Sequence, residues 1–407
     1  MEITQGGGRS PGTSALSRPH YRRLVLVLGS LSAFGALTID LYLPALPGMA
    51  AHLGASTASV QATLTVFVVG LAAGQLLIGP LSDAWGRRRL LLAGLAVYAV
   101  ASLGCALAPD VGWLLAARAL QSLGAAAGTV LARAVARDLF SGVAMTRFLS
   151  VLMLVNGLAP VLAPVVGGQL LAVTTWRALF VLLTGTGVVL LAAVALTLPE
   201  TLPVGNRRPA HPRALARTFA RLAADRRFVR LVLAAALVFA AVFTYISGSS
   251  FVLQDGYGLS AQRFSLVFAV NGLGIVALGQ LNGWAVGRVG TEAGLLTVAL
   301  ATVVLGSAGV LVSAVAGAPL GLLLVFLFLA VSMLGPVLTN ATSLALAEHG
   351  ATAGAASSLQ GTTQFLLAGL AAAAMSALGD DAVTMGAVMC CCAVPALILG
   401  ARRRSDR

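Results

Sequence analysis

Long apolar segments recur along almost the whole chain, and they limit its fold more than any other feature. Twelve of them approach or exceed the roughly 20 residues that an α-helix needs to cross a bilayer. They are predicted at 24–48, 58–81, 89–108, 112–135, 147–172, 176–198, 229–253, 262–286, 293–314, 318–345, 352–377 and 381–400. The 407-residue chain is 58% hydrophobic and only 10% charged, which leaves too little polar surface for a water-soluble protein of this size. We therefore predict an all-α polytopic membrane protein with twelve transmembrane helices.

Basic residues are distributed so unevenly that they predict an orientation in the membrane. All 26 are arginine, and only Arg118, Arg177 and Arg263 fall outside the segments that face the cytoplasm when both termini lie there. We therefore predict a multi-pass protein with both termini in the cytoplasm. The abundance of Ala, Gly and Arg without Lys indicates a high-GC bacterial source, and we expect the protein in the inner membrane of that bacterium. The net charge of +13 then reflects topology and contact with the lipid bilayer, so no nucleic-acid partner is expected.

Residue types that the sequence lacks or scatters exclude several kinds of catalysis. Without Lys, the chain has neither a Walker A loop nor a Schiff-base nucleophile. Its four Cys lie in apolar segments, and its four His are spread over tails and loops without metal-ligand spacing. We predict that the protein is not an enzyme and that it holds neither a cofactor nor a metal.

A long polar stretch at 199–230 divides the apolar segments into two sets of six. The sequence GPLSDAWGRRR, which follows the second segment of the first set, is weakly repeated in the second set as GQLNGWAVGRVG. A duplicated six-span unit is typical of transporters, whose substrate site forms between two halves that rock. The predicted domains are a flexible cytoplasmic tail (1–21), a six-helix bundle (22–198), a basic cytoplasmic linker (199–230), a second six-helix bundle (231–400) and a cytoplasmic tail (401–407).

The repeated stretch in the first half carries an ordered set of glycines and charges. Asp83 can pair with Arg87 one helical turn later, and Gly86 permits a tight turn. A turn anchored by its charges is one interpretation. The stretch also resembles the motif between helices two and three of the major facilitator superfamily, where it acts as a conformational latch that stabilises the outward-facing state. The resemblance assigns that role to Gly79, Asp83, Gly86, Arg87 and Arg88.

A second motif, RALQSLGAAAG, places Arg118 inside the fourth span. An arginine in a membrane interior usually faces a partner or a cavity, although it can also extend toward the nearer interface. The arrangement of Arg118, Gln121 and small residues resembles the fourth-helix motif of proton-coupled drug exporters in the superfamily. Gly124 and Gly128 form a small face that allows close helix packing.

Two further stretches carry the resemblance. The fifth span contains Pro160, Pro164, Gly167 and Gly168, which can bend a helix and bring it close to a neighbour. The last three of these residues resemble the fifth-helix motif of exporters. The sequence TIDLYLPALP at the end of the first span resembles the Bcr/CflA drug-resistance branch of the superfamily. The implied fold is therefore the major facilitator fold of two six-helix bundles.

Asp40 is the only acidic residue deep inside any predicted span. Counting from the outer ends puts it within roughly 3 Å of the depth of Arg118, so the two side chains can pair if their helices face one cavity. Burial favours a neutral acid, whereas a nearby guanidinium favours the carboxylate, and this balance can change as helices move. The resemblance implies that Asp40 carries the proton and that Arg118 is its partner. A permanent structural ion pair is the alternative.

These features predict a proton-coupled exporter of lipophilic drugs or antibiotics that works by alternating access as a monomer. Its partners are a small-molecule drug, protons and the lipid bilayer. An importer or uniporter of a small metabolite is the main alternative, and a membrane enzyme or a channel fits less well. Polar residues inside the spans are candidates for a cavity that suits a neutral or weakly basic drug, although each could instead bond neighbouring helices. They are Tyr42, Gln61, Gln121, Asn156, Tyr245, Asn271, Gln360 and Gln364.

Overall fold

The computed structural model describes residues 18–140, 142–203, 205, 207, 212–349 and 352–401, and these residues are almost entirely helical. The predicted tails, 1–21 and 401–407, lie outside the described residues except for 18–21 and Ala401, which are not tail but belong to α1 and α15. The helices are α1 (Arg18–Asp40), α2 (Leu46–Leu53), α3 (Thr57–Trp85), α4 (Arg87–Ala106), α5 (Val111–Leu139), α6 (Gly142–Leu170), α7 (Trp176–Thr197), α8 (Pro212–Ala224), α9 (Arg226–Phe251), α10 (Ala261–Ala285), α11 (Glu292–Val315), α12 (Leu320–Ser332), α13 (Leu334–Leu346), α14 (Ala353–Leu378) and α15 (Ala382–Ala401).

Twelve spans account for all of these helices except α8. Within the described residues, eleven segments are long and apolar enough to cross a membrane, and α6, which includes the apolar stretch Leu154–Leu170, supplies the remaining span. The first span consists of α1 and α2, and the tenth consists of α12 and α13. The predicted all-α fold with twelve spans is confirmed, and most span ends fall within a few residues of the predicted ones.

Short polar caps set many of the helix ends. Ser56, Asp110, Ser260 and Thr291 each accept a hydrogen bond from a backbone N–H in the first turn of α3, α5, α10 and α11. Gly86 alone separates α3 from α4, and its φ of +95° is the conformation that glycine adopts readily. These local features explain why the sequence could predict the ends of the spans.

The first span breaks where two prolines follow Asp40. Pro44 lacks the N–H that would bond the carbonyl of Asp40, so α1 ends at Asp40. Pro47 likewise has no N–H for the carbonyl of Leu43. The break therefore leaves backbone oxygens in a buried region, where they need other donors.

The two halves meet mainly along two helix pairs, α3 with α14 and α6 with α10. We call the end of the molecule with the α3–α4 turn, Arg137 and α8 the basic end, and the opposite end, with Pro44, Asp110 and Asp380, the far end. Helix α8 lies within residues 199–230, the predicted linker, and it ends at Ala224 because Asp225 caps α9 through the N–H groups of Arg227 and Phe228.

Candidate functional site

A cavity of about 260 Å³ lies between the two halves. Its walls are mostly aliphatic and aromatic, with Phe239, Phe243, Phe268 and Phe365 contributed by the second half. The charged side chains of the described lining are Asp40 and Arg133. Such a site, apolar with a few polar groups, is the usual form of a small-molecule cavity.

Asp40, the last residue of α1, lines this cavity and is only 4% exposed. Within the described part of the chain, no side chain donates a hydrogen bond to its carboxylate or pairs with it. Tyr245 and Asn271 of the second half share the lining, and the Asn271 amide donates to the Tyr245 hydroxyl at 2.8 Å. The acid therefore faces the region between the halves rather than the interior of its own bundle.

Arg118 is fully buried within the first half, and in this conformation it does not form the ion pair with Asp40 that the sequence predicted. Its Nη1 donates to Oε1 of Gln121 at 2.6 Å and to the carbonyl of Thr38 at 3.4 Å. The carbonyl of Thr38 is in the last turn of α1, where carbonyls lose their helical donors. Arg118 thus holds the helix end that carries Asp40.

Aromatic faces complete the surroundings of this guanidinium. Its Cζ lies 4.2 Å from the ring centroid of Phe67 and 4.5 Å from that of Tyr42, both within the range of cation–π attraction. The Tyr42 hydroxyl bonds Thr63, and the Gln121 amide donates to Ser102 at 2.7 Å. The positive charge is therefore stabilised without a carboxylate, which explains why the predicted pair is not needed here.

Neutral hydrogen bonds join the two halves at the far end. Ser250 donates to the carbonyl of Leu43 at 2.7 Å, which is the oxygen that Pro47 leaves free. Three similar bonds run from Gln254 to Pro44, from Gln262 to Gly168 and from Ser376 to Ala58, at 3.1 to 3.2 Å. In all four, a side chain of the second half donates to a backbone oxygen of the first.

The cavity extends toward the basic end. A second cavity of about 320 Å³ shares Gln75, Thr129 and Arg133 with the first and continues to Arg137 and to the start of α14. At this level the halves still touch, since Ser358 donates to the carbonyl of Gln75 at 3.2 Å. The described conformation is therefore closed at the far end, with its internal space directed to the basic end.

The α3–α4 turn forms a charged network inside the first half. Arg87 pairs with Asp83 at 2.6 Å and with Asp138 of α5 at 3.3 Å, and its backbone N–H donates to Glu200 at 2.9 Å. Ser82 also accepts a hydrogen bond from Arg87. Arg88 donates to the backbone oxygens of Ala195 and Leu198 at the end of α7, while Gly79 has open space around it.

The matching turn of the second half contains no such network among the described residues. Arg288 donates only to the carbonyl of Trp284 in the preceding turn, at 2.9 Å. Asn282 and Asn340 instead form a pair of amide hydrogen bonds between α10 and α13, at 2.8 and 3.0 Å. The weak sequence repeat thus corresponds to turns of different polarity.

The fifth-span prolines and glycines lie in α6, which faces both α1 and α10. Pro160 lines the main cavity, and Pro164 lies within the same helix. A methyl group on Gly167 would overlap the carbonyl oxygen of Leu41, and one on Gly168 would lie 3.0 Å from the carbonyl of Ala261. The glycines therefore allow the close contact predicted for this helix.

The predicted cavity residues are divided by the structure. Tyr245 and Asn271 line the main cavity. Tyr42 and Gln121 surround Arg118, Gln61 lies beside Asp380 at the far end, Asn156 bonds Ser32, Gln360 bonds Thr342, and Gln364 lies outside the lining.

Sequence reasoning did not single out several lining residues. Gln75, Thr129 and Arg133 line both cavities. Gln75 and Thr129 resemble ordinary polar residues of a span, and Arg133 resembles one more topogenic arginine. These residues differ from others of their kind only because they lie on the faces of α3 and α5 that border the space between the halves.

Comparison with known proteins agrees with this architecture of a two-bundle membrane transporter. Residues 26–373 match the Major Facilitator Superfamily, and the chain belongs to that family. It is 39% identical over 371 residues to an uncharacterized MFS-type transporter, YdgK, of Bacillus subtilis, covering 90% of this chain and 91% of the relative. It is 31% identical over 374 residues to a bicyclomycin resistance protein homolog of Haemophilus influenzae, covering 89% and 92%. The multidrug resistance protein MdtL of Klebsiella pneumoniae is 31% identical over 57% of this chain and 58% of its own.

Solved structures share the fold at low sequence identity. A bacterial homolog of the human lysosomal transporter Spinster, in an inward-facing and occupied conformation, has a TM-score of 0.75 at 16% identity, covering 95% of this chain and 96% of its own. The xylose transporter XylE of E. coli, in a partially occluded inward-open conformation, has a TM-score of 0.73 at 13% identity, covering 93% and 97%. Membership of the family makes the protein a multi-pass transporter of small molecules, and its bacterial relatives indicate the cell membrane.

Proposed function

We propose that this transporter exports drugs or antibiotics in exchange for protons, as a member of the Bcr/CflA type. The relatives named for bicyclomycin resistance and multidrug resistance support the drug class. In this proposal the basic end faces the cytoplasm, both termini lie there, and residues 199–230 link two six-helix bundles of a monomer. The described conformation is then inward-facing, ready to receive substrate from the cytoplasm.

The observation that carries the proposal is the position of Asp40. Its carboxylate lines an apolar cavity between the halves and has no hydrogen-bond or ionic partner among the described residues. An acid placed in this way can exchange a proton without first breaking an ion pair. Intramembrane acids of this kind commonly serve in proton relays.

Two groups would assist Asp40. Arg118 is proposed to position the end of α1 through the Thr38 carbonyl and to supply a fixed positive charge on the first-half side of the cavity. The network of Asp83, Arg87 and Arg88 is proposed to act as the conformational latch, together with the turn at Gly86. Its described contacts are with the first half and with Glu200 at the start of the linker, and none of them is with the second half, as expected when the molecule is not outward-facing.

The test is drug resistance and transport with Asp40→Asn, using Asp40→Glu as the matched control. A pump-deficient bacterium expressing each form at equal membrane level would be grown across an antibiotic panel. Everted vesicles would then report whether uptake of a protective drug depends on an imposed pH gradient. We expect the natural protein and Asp40→Glu to respond to the gradient and Asp40→Asn to lose that response.

Other outcomes would reject parts of the proposal. Equal protection and equal gradient dependence in all three forms would make Asp40 structural and place proton coupling elsewhere. Greater sensitivity to a compound on expression of the natural protein, with protection against none, would indicate import rather than export.

A further inference from the structure

Arg133 is the second charged residue of the main cavity, and neither the fold nor proton coupling explains it. It lies on α5 about two turns before the basic end of that helix, and its side chain is exposed to the space between the halves. An arginine that only sets topology needs to reach the lipid headgroups or the cytoplasm, not the cavity. The Arg133 side chain is therefore placed to contact a molecule that binds in the cavity.

No acid neutralises this side of the cavity within the described residues. Arg137, one turn further along α5, lines the second cavity beside Arg133, and neither forms an ion pair or a hydrogen bond among the described residues. The nearby acid Asp138 is instead bonded by Arg87 and Thr201. Two like charges at i and i+4 repel each other, so a bound anion would be stabilised by both.

The distance between Asp40 and Arg133 suits a drug-sized molecule. Gly35 of α1 lies level with Thr129 of α5, because a methyl group on Gly35 would be 3.5 Å from the Thr129 hydroxyl. Asp40 lies five residues from that level toward the far end, and Arg133 lies four residues from it toward the basic end. At 1.5 Å per residue, their backbones are separated by about 14 Å along the helices. The long arginine side chain shortens the gap between the charged groups.

We propose that the cavity binds amphoteric molecules, with a carboxylate or phosphate group on Arg133, an aromatic body against the phenylalanines, and a basic nitrogen near Asp40. Guanidinium groups bind carboxylate and phosphate oxygens through paired hydrogen bonds, which favours arginine at such a position. The claim that such molecules are transported rests on the proposed export function. The claim that they bind in the cavity does not. This substrate class also differs from the neutral or weakly basic drug that the sequence alone indicated.

The experiment measures equilibrium binding of two fluorescent probes to the purified full-length protein in a neutral detergent. Rhodamine 110 carries a carboxylate on a cationic aromatic body, and rhodamine 123 is its methyl ester, so the pair differs in the acidic group. Affinity would be measured by fluorescence anisotropy for the natural protein, Arg133→Gln and Arg133→Lys. The matched control is Arg221→Gln, which removes the same charge from the exposed surface of α8.

We expect Arg133→Gln to weaken rhodamine 110 binding about tenfold while rhodamine 123 changes less than twofold, as for a charge-assisted hydrogen bond. Arg133→Lys should recover part of the loss, and Arg221→Gln should match the natural protein with both probes. Equal weakening of both probes by Arg133→Gln, an unchanged affinity for rhodamine 110, or no binding of either probe to the natural protein would overturn the proposal.

The binding result can be separated from the export proposal because no proton gradient is present. If the protein binds rhodamine 110 through Arg133 but shows no Asp40-dependent transport, the anion site is supported and proton-coupled export is rejected. If transport depends on Asp40 but rhodamine 110 binding does not depend on Arg133, proton-coupled export is supported and the anion site is rejected. Unfolding temperatures of the variants, compared with that of Arg221→Gln, would show whether a loss of binding reflects a loss of folding.

Discussion

The two ends of the molecule are held by different kinds of interaction. At the far end, four neutral side chains of the second half donate to backbone oxygens of the first, as Ser250 does to Leu43. At the basic end, the strongest interactions are ion pairs, but each of those described lies within one half, within residues 199–230, or between these residues and one half. The charged network of Arg87 therefore stiffens one half, whereas the neutral bonds close the molecule.

This difference has a consequence for alternating access. A neutral hydrogen bond contributes about 1 kcal/mol, so four of them can form and break with modest changes in free energy. Buried ion pairs between the halves would be more costly to break, because each separated charge would lose its partner. The far end is thus suited to repeated opening.

The largest effect is expected for Gly168→Ala at the far end. The new methyl group would overlap the Ser265 hydroxyl and lie 3.0 Å from the backbone oxygen of Ala261, both in α10 of the second half, and a backbone oxygen cannot move aside as a side chain can. We expect the closed far end to lose about 10- to 100-fold in population and transport to fall accordingly. In a background without native cysteines, spin labels at the exposed positions Ala51 and Asp255 would measure the separation of the halves.

Gly185→Ala is the matched control for this prediction, because a methyl group at Gly185 would meet no described atom within 4 Å. Its label separation and transport should equal those of the natural protein. If Gly168→Ala also left the separation unchanged, the contact between α6 and α10 would not limit closure.

A smaller effect is expected for Arg87→Gln at the basic end. The substitution leaves Asp83 and Asp138 without their shared cation, and we expect transport to fall about tenfold. Both acids keep some exposure to solvent, which limits the loss of stability. The label separation at the far end should not increase, since loss of a latch that favours the outward-facing state leaves the far end closed.

The second half offers the control for the charged network. Arg288→Gln removes an arginine from the matching turn, whose described hydrogen bond is to its own helix. We expect transport within twofold of the natural protein. Equal losses for Arg87→Gln and Arg288→Gln would mean that charge at the basic end matters only for topology.

A single far-end hydrogen bond should have a measurable but moderate role. Ser250→Ala removes the donor to Leu43 and a partner of Gln254, so we expect the ratio of closed to open far ends to fall about fivefold, equivalent to about 1 kcal/mol. Ser247→Ala, one turn earlier and equally buried, loses only a bond to the carbonyl of Thr244 in its own helix. A similar shift in both variants would show that general loosening of α9, rather than this bond, is responsible.

Much of the fold was predictable because the determining signals are local. Apolar length gave the twelve spans, and capping residues such as Asp110 and Ser260 explain where many of them begin. The position of Asp40 could also be predicted from the sequence, because Pro44 and Pro47 mark the end of the first helix and Asp40 is its last residue.

The unpredicted parts of the site depend on contacts between distant helices. Counting charges pairs Arg118 with Asp40, but the rings of Tyr42 and Phe67 and a free backbone oxygen take the guanidinium instead. Such aromatic and backbone partners have no charge signature in a sequence. The direction of Arg133 was hidden for a related reason, since a single sequence does not show which face of α5 borders the cavity.

The smallest effect concerns the dependence of far-end closure on pH. Asp380 lies between α14 and α15, beside Thr57 and Gln61 of the first half and next to Asp381, and burial raises the pKa of its carboxyl above the usual value. The closed state therefore favours the protonated acid. Closure should be favoured at low pH and weakened as the pH of the far-end solution rises through this pKa. We expect about a twofold change in the closed fraction between pH 5 and pH 7, measured with the same two label positions.

Asp380→Asn should abolish this dependence and keep the far end closed at both pH values. Asp110→Asn, which removes a helix-capping acid from the same end, should leave the dependence intact. A pH response that persists in Asp380→Asn would place the titrating group elsewhere. A response of opposite sign in the natural protein would mean that this carboxylate is better solvated when the halves are together, so that charge as well as neutral bonding contributes to closure at the far end.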